Sequence, residues 1–565
     1  MTQQPEAGHR GDEVAQHTER SPLLNTARAA QSNGNRIAKD IVDEEERLGE
    51  RNQEQGNGKV QISVVKIISV LLIGIFIANA DGSMLLATHA TIASEFNDLT
   101  NSTWLITSFA LAGAATQTLY GKLSDIYGRK PLVIIAYSIL VIGWLGFTMW
   151  QVVLGRVISG AGSSGMTALV SVLITDILPI RDVAQWRAFV NVVATAGRSI
   201  GGPLGGWLAD VVGWRWSFLG QVPIVGLAIV LVAIYLPKPP PESESPASPA
   251  ASNANRGKWN RIDFKGSVIF ASMVLALLLP IELGGEKLPW THPIIVSLFI
   301  VSGILLALFI SVEKREEEPI LPLEIFHRRD AVLSFLILGL QMAAQISLMF
   351  SVPIYFQVTA GMSNTEAGMH LVPAVVGNAV GGLLSGLIIK RSGRYKLLVV
   401  LSVTCASLSY LSMMLRWHGN TNWWESLYIV PSGFGSGIAQ SAVFISLQAV
   451  IDPAHMAPAI SFMYLSTTVW ITIGLPISNA AMQASLRSTL QTRLLDLGLS
   501  GKAIQTILEN ATSDVGYVSR TTGAVHAAIV DSYVDGLWWS HGVSFASSST
   551  AIVLSLFLKQ RRIDV

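Results

Sequence analysis

The chain contains a succession of apolar runs, each about as long as a helix that crosses a bilayer, roughly 20 residues. Half of the 565 residues are apolar and only 14% are charged, whereas soluble domains carry about 25% charged residues. In hydrocarbon every backbone N–H and C=O must be bonded within the segment, so such runs predict helices. The chain is therefore predicted to be an all-α membrane protein.

The apolar runs number fourteen and fall into three groups. Six lie in residues 62–236, two in residues 265–312 and six in residues 331–560. The polar residues 1–61 predict a disordered cytosolic tail. Residues 237–264, rich in Pro, Ser and Glu, predict a flexible cytosolic linker.

The distribution of cations predicts the orientation of the helices. An even number of crossings places both chain ends on one side, called here the tail side, and the loops on that side hold most of the Lys and Arg. The positive-inside rule makes the tail side cytosolic. The glycosylation sequons at Asn101 and Asn510 both fall on the opposite side, called the far side, as that orientation requires.

Residues 484–536 are too polar to cross the membrane and predict a luminal loop between the last two spans, 457–483 and 537–558. Leu486, Leu490, Leu494 and Leu497 recur in it at helical spacing. This spacing predicts a short amphipathic helix on the membrane surface. The helix either covers the far-side mouth as a lid or packs against the bundle.

A charged hairpin from Gly121 to Pro131 joins the second and third spans. Gly121 and Gly128 would let two helix ends approach closely, and Asp125 is placed to bind a helix N-terminus or a cation. Arg129 and the lysine after it would hold the loop on the cytosolic side. The pattern predicts a latch between two halves of a carrier; the alternative is a simple stop-transfer turn.

The hairpin resembles the signature of the major facilitator superfamily, in the loop after its second helix. The resemblance implies that this loop stabilises one access state and helps the switch between states. It also implies the fold: fourteen transmembrane helices, arranged as two six-helix bundles around a cavity plus two additional helices outside it.

Asp81 lies in the middle of the first span, where a carboxylate costs roughly 2.5 to 3.5 kcal/mol on insertion scales. It should therefore face a wet cavity or a partner and bind a proton or cation; the alternative is a purely structural Asp. Fourteen-helix facilitators of the drug:proton antiporter type, which this chain resembles, have an acid at this place. An Arg at the position of Arg156 is linked in the family to proton transfer, so Asp81 and Arg156 are the predicted coupling residues.

The fifth span contains Gly202, Pro203, Gly205 and Gly206, which resemble the superfamily's antiporter motif but have one residue between the two pairs where two are expected. Such density of Gly and Pro predicts a bendable, closely packed helix. Arg198, just before it, is a further intramembrane charge. It would bind a substrate carboxylate or pair with an acid.

By analogy with the family, four uncharged polar residues are expected to line the path. They can bond a substrate without charge, although ordinary hydrogen bonds between helices would also explain them. These residues are Asn79, Gln341, Gln345 and Asn378.

The N-terminal tail contains Glu19, Leu23 and Leu24 at the spacing of an acidic dileucine signal. Such a peptide offers one charge and two apolar anchors to a sorting adaptor, and in fungi it commonly directs cargo to the vacuole.

Together these features resemble fungal vacuolar basic amino acid transporters. The resemblance implies a proton-coupled antiporter that moves basic amino acids into the vacuole, with substrate and proton competing for Asp81. The alternatives are a plasma-membrane exporter of drugs or metabolites and, from another class, a membrane nutrient sensor.

Other classes find no support in the sequence. No nucleotide-binding motif marks an ATP-driven pump or an enzyme. The single cysteine, Cys405, excludes a disulfide or thiolate metal cluster within one chain. A net charge of +1 gives no sign of nucleic-acid binding. No cofactor or metal is expected; the partners are the small-molecule substrate, protons, the bilayer and the adaptor.

Overall fold

The computed structural model describes residues 65–89, 91–96, 102–143, 148–236, 261–284, 288–513 and 515–561. The described residues from Ile67 onward belong to one compact unit. The helices are α1 Val65–His89, α2 Thr103–Tyr127, α3 Arg129–Ile142, α4 Met149–Ile177, α5 Ile180–Val211, α6 Arg215–Leu219, α7 Val222–Tyr235, α8 Phe264–Leu283, α9 Pro293–Glu313, α10 Glu324–His327, α11 Arg329–Ala360, α12 Asn364–Met369, α13 Val372–Ser392, α14 Lys396–Arg416, α15 Val430–Gln448, α16 Met456–Asp496, α17 Gly501–Ser513 and α18 Gly523–Leu556.

Within the described ranges, ten helical segments are long and apolar enough to cross a membrane. Four further helices, α2, α3, α5 and α18, complete the fourteen predicted from the sequence. Of these, α3 has only 14 residues, and α5 includes several charged residues along its length. The prediction of an all-α, fourteen-helix membrane protein is thereby confirmed, whereas the exact domain boundaries stay predictions.

Glycines set how closely the helices pack. A Cβ added to Gly160 of α4 would lie 2.3 Å from the Phe109 carbonyl oxygen of α2, and one added to Gly433 of α15 would lie 1.9 Å from that of Ala374 in α13. Both contacts are shorter than any side chain tolerates. Small residues therefore bring these backbones together, as they do where helices associate in lipid.

The polar segment 484–536 is mostly helical. The four leucines do not start a separate surface helix, because α16 continues unbroken through them to Asp496. Leu486, Leu490 and Leu494 are fully buried, whereas Leu497 is 44% exposed. The buried leucines pack against α17 and the first turns of α18, with Ile504 among their neighbours. The amphipathic pattern thus reflects a small far-side core, and the expectation of a helix on the membrane surface is corrected.

Two of the predicted segments lie largely outside the described residues. They are the tail, with Glu19, Leu23 and Leu24, and most of the linker. The linker ends where α8 begins: the Asp263 carboxylate accepts a hydrogen bond of 2.7 Å from the Gly266 N–H and caps the helix.

Candidate functional site

Asp81 of α1 and Arg156 of α4 form an ion pair in the core of the first helix group. Arg156 Nη2 lies 2.9 Å from Asp81 Oδ2, and Nη1 donates a hydrogen bond of 3.1 Å to Oδ1. The two side chains are 0% and 2% exposed. This fork-like geometry is the strongest that Arg and a carboxylate adopt, so the carboxylate that the sequence singled out has a buried cationic partner.

Aromatic rings enclose the guanidinium. The Arg156 guanidinium carbon lies 4.4 Å from the centre of the Phe109 ring and 5.6 Å from that of Phe218. These cation–π contacts and the carboxylate together compensate a charge removed from water. Both members of the pair must therefore be displaced or neutralised together if either is to reach solvent.

The glycine-rich part of α5 packs against α1 beside Asp81. Cβ atoms added to Gly197, Gly201 and Gly205 would lie 2.5 to 2.8 Å from backbone atoms of α1. Ser83 Oγ, two residues beyond Asp81, donates a hydrogen bond of 2.6 Å to the Arg198 carbonyl oxygen. The motif thus fixes α5 against the helix that holds the carboxylate.

The motif residues do not share one role. Gly205 is buried against Met84, and Gly202 faces Ser83 more loosely, whereas a Cβ on Gly206 would meet nothing within 4 Å. Pro203 lines the central cavity instead. Of the motif residues only Gly205 therefore makes a close helix contact, and it continues the four-residue spacing of Gly197 and Gly201.

The central cavity has a volume of about 650 Å³ and lies between α5 and helices α11, α13, α15 and α16. This volume is within the range of small-molecule sites. The cavity extends toward the far side, where Met369 is 63% exposed. Its polar lining residues are Thr195, Arg198, Ser199, Gln345, Asn378, Ser436 and Gln440.

Arg198 is the charged residue of this lining. No Asp or Glu of the described ranges pairs with its guanidinium within ion-pairing distance, and none lines the cavity. Gln345 Oε1 and Ser436 Oγ also make no hydrogen bond with the protein. The cavity thus offers a cation and neutral oxygen acceptors, which together suit a ligand bearing a carboxylate and an ammonium group.

Two of the four residues expected to line the path do so, Gln345 and Asn378. Gln341 does not: it is fully buried, and its Oε1 accepts a hydrogen bond of 3.4 Å from Ser548 of α18. Asn79 is half-buried and donates a hydrogen bond of 2.8 Å to the Ile75 carbonyl of its own helix. For these two the expectation is corrected, because they bond within or between helices rather than face the cavity.

The charged hairpin connects several helix ends through ion pairs and a close backbone contact. Arg129 lies 2.6 Å from the Asp125 carboxylate and 2.8 Å from that of Asp176 at the end of α4. Gly128 joins α2 to α3 with φ at +88°, a conformation that L side chains rarely adopt. A Cβ on Gly121 would lie 2.8 Å from the Ala457 carbonyl oxygen of α16. The hairpin therefore ties α2, α3 and α4 together and contacts the second helix group.

A second connection joins the hairpin to the additional helices. Glu318, in the loop after α9, lies 3.0 Å from Lys122 and 3.0 Å from Arg261. Partial burial would raise the pKa of Glu318, but hydrogen bonds from Arg261 and Lys122 hold it below its usual range. Glu318 is thus kept ionised, and it links the hairpin to the end of the linker.

The two helix groups meet on the tail side along α5 and α13. Asn191 Nδ2 donates a hydrogen bond of 2.7 Å to Asn378 Oδ1, and Lys390 lies 3.0 Å from the Asp182 carboxylate. With the Gly121 contact on the opposite flank, these bonds close the tail side below the cavity. Sequence reasoning missed Asn191, although it falls seven residues before Arg198 and therefore on nearly the same face of α5.

Of the two sequons, Asn101 lies outside the described residues, and Asn510 is exposed on α17. Whether either carries sugar stays a prediction.

The sequence matches the profile of the Major Facilitator Superfamily over residues 71–475. Among curated relatives, the vacuolar membrane amino acid uptake transporter fnx2 of Schizosaccharomyces pombe is 29% identical, with 89% of this chain and 85% of the relative covered. The multidrug resistance protein fnx1 of the same yeast is 28% identical, with 90% and 95% covered. The vacuolar basic amino acid transporter 2 of Saccharomyces cerevisiae is 27% identical, with 80% and 97% covered.

Solved structures show the same fold. The proton:xylose symporter XylE superposes with a TM-score of 0.57 at 14% identity, covering 89% of this chain and 98% of its own. The human organic anion transporter MFSD10 gives 0.52 at 12% identity, covering 87% and 99%. The family match spans more than half of the chain, and its relatives are transporters rather than enzymes. The chain therefore belongs to the Major Facilitator Superfamily.

Proposed function

We propose that the protein is a proton-coupled antiporter that moves basic amino acids across the vacuolar membrane into the vacuole. Arg198 binds the substrate carboxylate, and the Asp81–Arg156 pair couples transport to protons. Two of the relatives named above are, by their names, vacuolar amino acid transporters, and this supports the choice of substrate and membrane.

The observation that carries the proposal is the guanidinium of Arg198 in the central cavity, without a carboxylate partner in the described part of the chain. An intramembrane cation is costly unless it has a use, and a substrate carboxylate supplies the missing counter-charge. Gln345 belongs to the same lining, and its Oε1, which makes no hydrogen bond within the described part of the chain, accepts from the substrate ammonium.

The coupling step follows from the buried pair. Protonation of Asp81 removes the charge that holds Arg156, and a cationic substrate that reaches Asp81 competes for the same carboxylate. Occupancy by one therefore releases the other, as the helix groups alternate access around a midplane site. One pH unit supplies roughly 1.4 kcal/mol per proton exchanged, and 100 mV adds about 2.3 kcal/mol for each net charge moved.

The test is ATP-dependent uptake of labelled lysine, arginine and histidine into vacuolar membrane vesicles, with and without a protonophore. Wild type should show protonophore-sensitive uptake above that of vesicles from empty cells. Arg198→Gln should lose most of it at equal protein abundance, because the substrate carboxylate loses its cation. Equal uptake by wild type, variant and empty vesicles would remove the amino-acid assignment.

A second candidate is export of drugs or metabolites across the plasma membrane. The remaining lining of the cavity is apolar and includes three methionines, Met342, Met349 and Met369. Flexible thioether side chains adapt to varied ligands, and the relative fnx1 is named a multidrug resistance protein. Drug resistance in cells that express the chain, with no amino-acid uptake in their vacuolar vesicles, would favour this candidate.

The dileucine signal gives a separate test of location. Replacing Leu23 and Leu24 by Ala should move the protein from the vacuolar membrane to the cell surface, because the adaptor loses both apolar anchors. Fluorescence microscopy of tagged protein measures this. An unchanged vacuolar pattern would show that another signal sorts the protein.

A further inference from the structure

Arg187, in the tail-side part of α5, is a buried cation that no acidic residue of the described ranges neutralises. Its side chain is 5% exposed, and no Asp or Glu of the described ranges lies within ion-pairing distance of it. Its Nη1 donates a hydrogen bond of 2.7 Å to the hydroxyl of Ser171 in α4. Its Nε makes no hydrogen bond. An unpaired guanidinium held out of water is unfavourable, which points to a charge that is used in another state.

The surroundings of Arg187 come largely from the second helix group. Its guanidinium carbon lies 4.3 Å from the centre of the Phe444 ring of α15 and 5.6 Å from that of Tyr464 of α16. The Tyr464 hydroxyl lies 2.6 Å from the Ser171 hydroxyl. Opening of the tail side by separation of the two helix groups would carry these rings away from the guanidinium and expose Arg187 to the cytosol.

Arg187 also shares a face of α5 with Arg198. Eleven residues make about three helical turns, so the two guanidinium groups project in nearly the same direction, about 16 Å apart along the axis. Asn191 and Thr195 lie between them on the same face, and the Asn191 amide and Thr195 hydroxyl both donate to Asn378 Oδ1. A polar stripe thus runs from the closed tail side to the cavity.

We propose that Arg187 is a second binding station for the substrate carboxylate, used when the tail side is open. It captures the carboxylate from the cytosol and passes it along the stripe to Arg198. The inference rests on the proposed function, since it assumes a substrate with a carboxylate. It adds a site that is occluded by Phe444 and Tyr464 while the cavity faces the far side.

The experiment measures transport from each side separately. Vacuolar membrane vesicles expose the tail side to the medium, so lysine uptake reports binding on the tail side and efflux from preloaded vesicles reports binding on the far side. The variants are Arg187→Gln, Arg187→Lys and, as a matched control, Arg391→Gln, which removes an exposed tail-side cation at the end of α13. Cadaverine, which is lysine without its carboxyl group, serves as a competitor.

Arg187→Gln should raise the KM of lysine uptake about tenfold or more, the loss expected for one charge-assisted hydrogen bond. The KM of efflux should stay within about twofold, and Arg391→Gln should match wild type. Wild type should prefer lysine to cadaverine from the tail side, and the preference should shrink in Arg187→Lys, which keeps the charge but loses the planar fork. The comparison of lysine with cadaverine in Arg187→Lys tests the proposal even if Arg187→Gln fails to fold.

Three results would contradict a carboxylate-binding site at Arg187. They are an unchanged KM of uptake in Arg187→Gln, an equal change in the KM of uptake and efflux in that variant, or an unaltered preference for lysine over cadaverine in Arg187→Lys. An equal change from both sides is what a merely structural contact at the tail side gives. Absence of lysine uptake by wild type would overturn the proposed function itself, and the station with it. Loss of activity in Arg198→Gln combined with normal kinetics in the Arg187 variants would overturn the station alone.

Discussion

Neutralising the buried pair one residue at a time should cost far more stability than neutralising both together. Asp81→Asn leaves the Arg156 guanidinium without its carboxylate in a site where both side chains are at most 2% exposed. Breaking a buried pair by removing one partner costs about 3–5 kcal/mol. Arg156→Gln leaves an uncompensated carboxylate and should cost a similar amount.

The double variant Asp81→Asn with Arg156→Gln restores a neutral site of similar shape. Its amides can hydrogen-bond across the same gap, and the Phe109 and Phe218 rings remain in place. We expect its loss in free energy of unfolding to be smaller than the sum of the two single-variant losses by about 3 kcal/mol or more. Such a difference indicates direct coupling between contacting residues. The measurement is thermal unfolding of wild type, the two single variants and the double variant, purified in one detergent. The double variant should melt at a higher temperature than the two single-variant shifts, added together, would give.

Transport separates the structural role of the pair from its coupling role. The double variant should be folded and sorted yet show no uptake driven by a pH gradient, because it has no carboxylate to protonate. Proton-driven uptake at the wild-type rate in this variant would refute the coupling role of Asp81. If the loss in free energy of unfolding of the double variant equals the sum of the two single-variant losses, Asp81 and Arg156 do not stabilise each other as a buried pair.

Three further changes test the packing and the tail-side closure. Gly201→Val should reduce the amount of folded protein, since its Cβ would lie 2.5 Å from the Ala80 carbonyl oxygen; Gly206→Val, in open space, is the matched control, and both are measured by size-exclusion profile after solubilisation. Asn378→Ala removes the hydrogen bond between the helix groups and should raise the labelling rate of cysteines introduced on the tail side; an unchanged rate would show that this bond does not hold the closed state. Leu490→Ala in the far-side core should cost about 2–5 kcal/mol and lower the thermal midpoint, whereas Leu497→Ala, 44% exposed, should have almost no effect; equal effects would contradict the buried far-side core.

The helix count could be predicted from sequence because the bilayer fixes the length of an apolar run and leaves helix as the solution. The importance of Asp81 and Arg156 could be predicted for a related reason: a charge at bilayer depth is expensive and must have a partner or a function. The sequence alone left Asp81 facing either a wet cavity or a partner. Only the packing of α1 on α4 showed that the partner is Arg156.

One sequence pattern is compatible with more than one tertiary environment. The leucines from Leu486 onward have the spacing of a surface helix, but tertiary packing buried three of them in a far-side core, because α17 and α18 supply the opposing apolar face. Gln341 and Gln345 are one helical turn apart, and only Gln345 reaches the cavity. Hydropathy carries no information about which face of a buried helix meets a neighbour and which meets a void.

The class of protein, the number of helices and the charged residues that required an explanation could be read from the residues alone, since they follow from the cost of placing each residue type in lipid. Which charges meet depended on how the helices pack. It joined Asp81 to Arg156, left Arg198 facing the cavity, and covered Arg187 with aromatic rings from the other helix group. Pairing depends on contacts between helices far apart in the chain, and these contacts are set by the shapes of all the packed faces together.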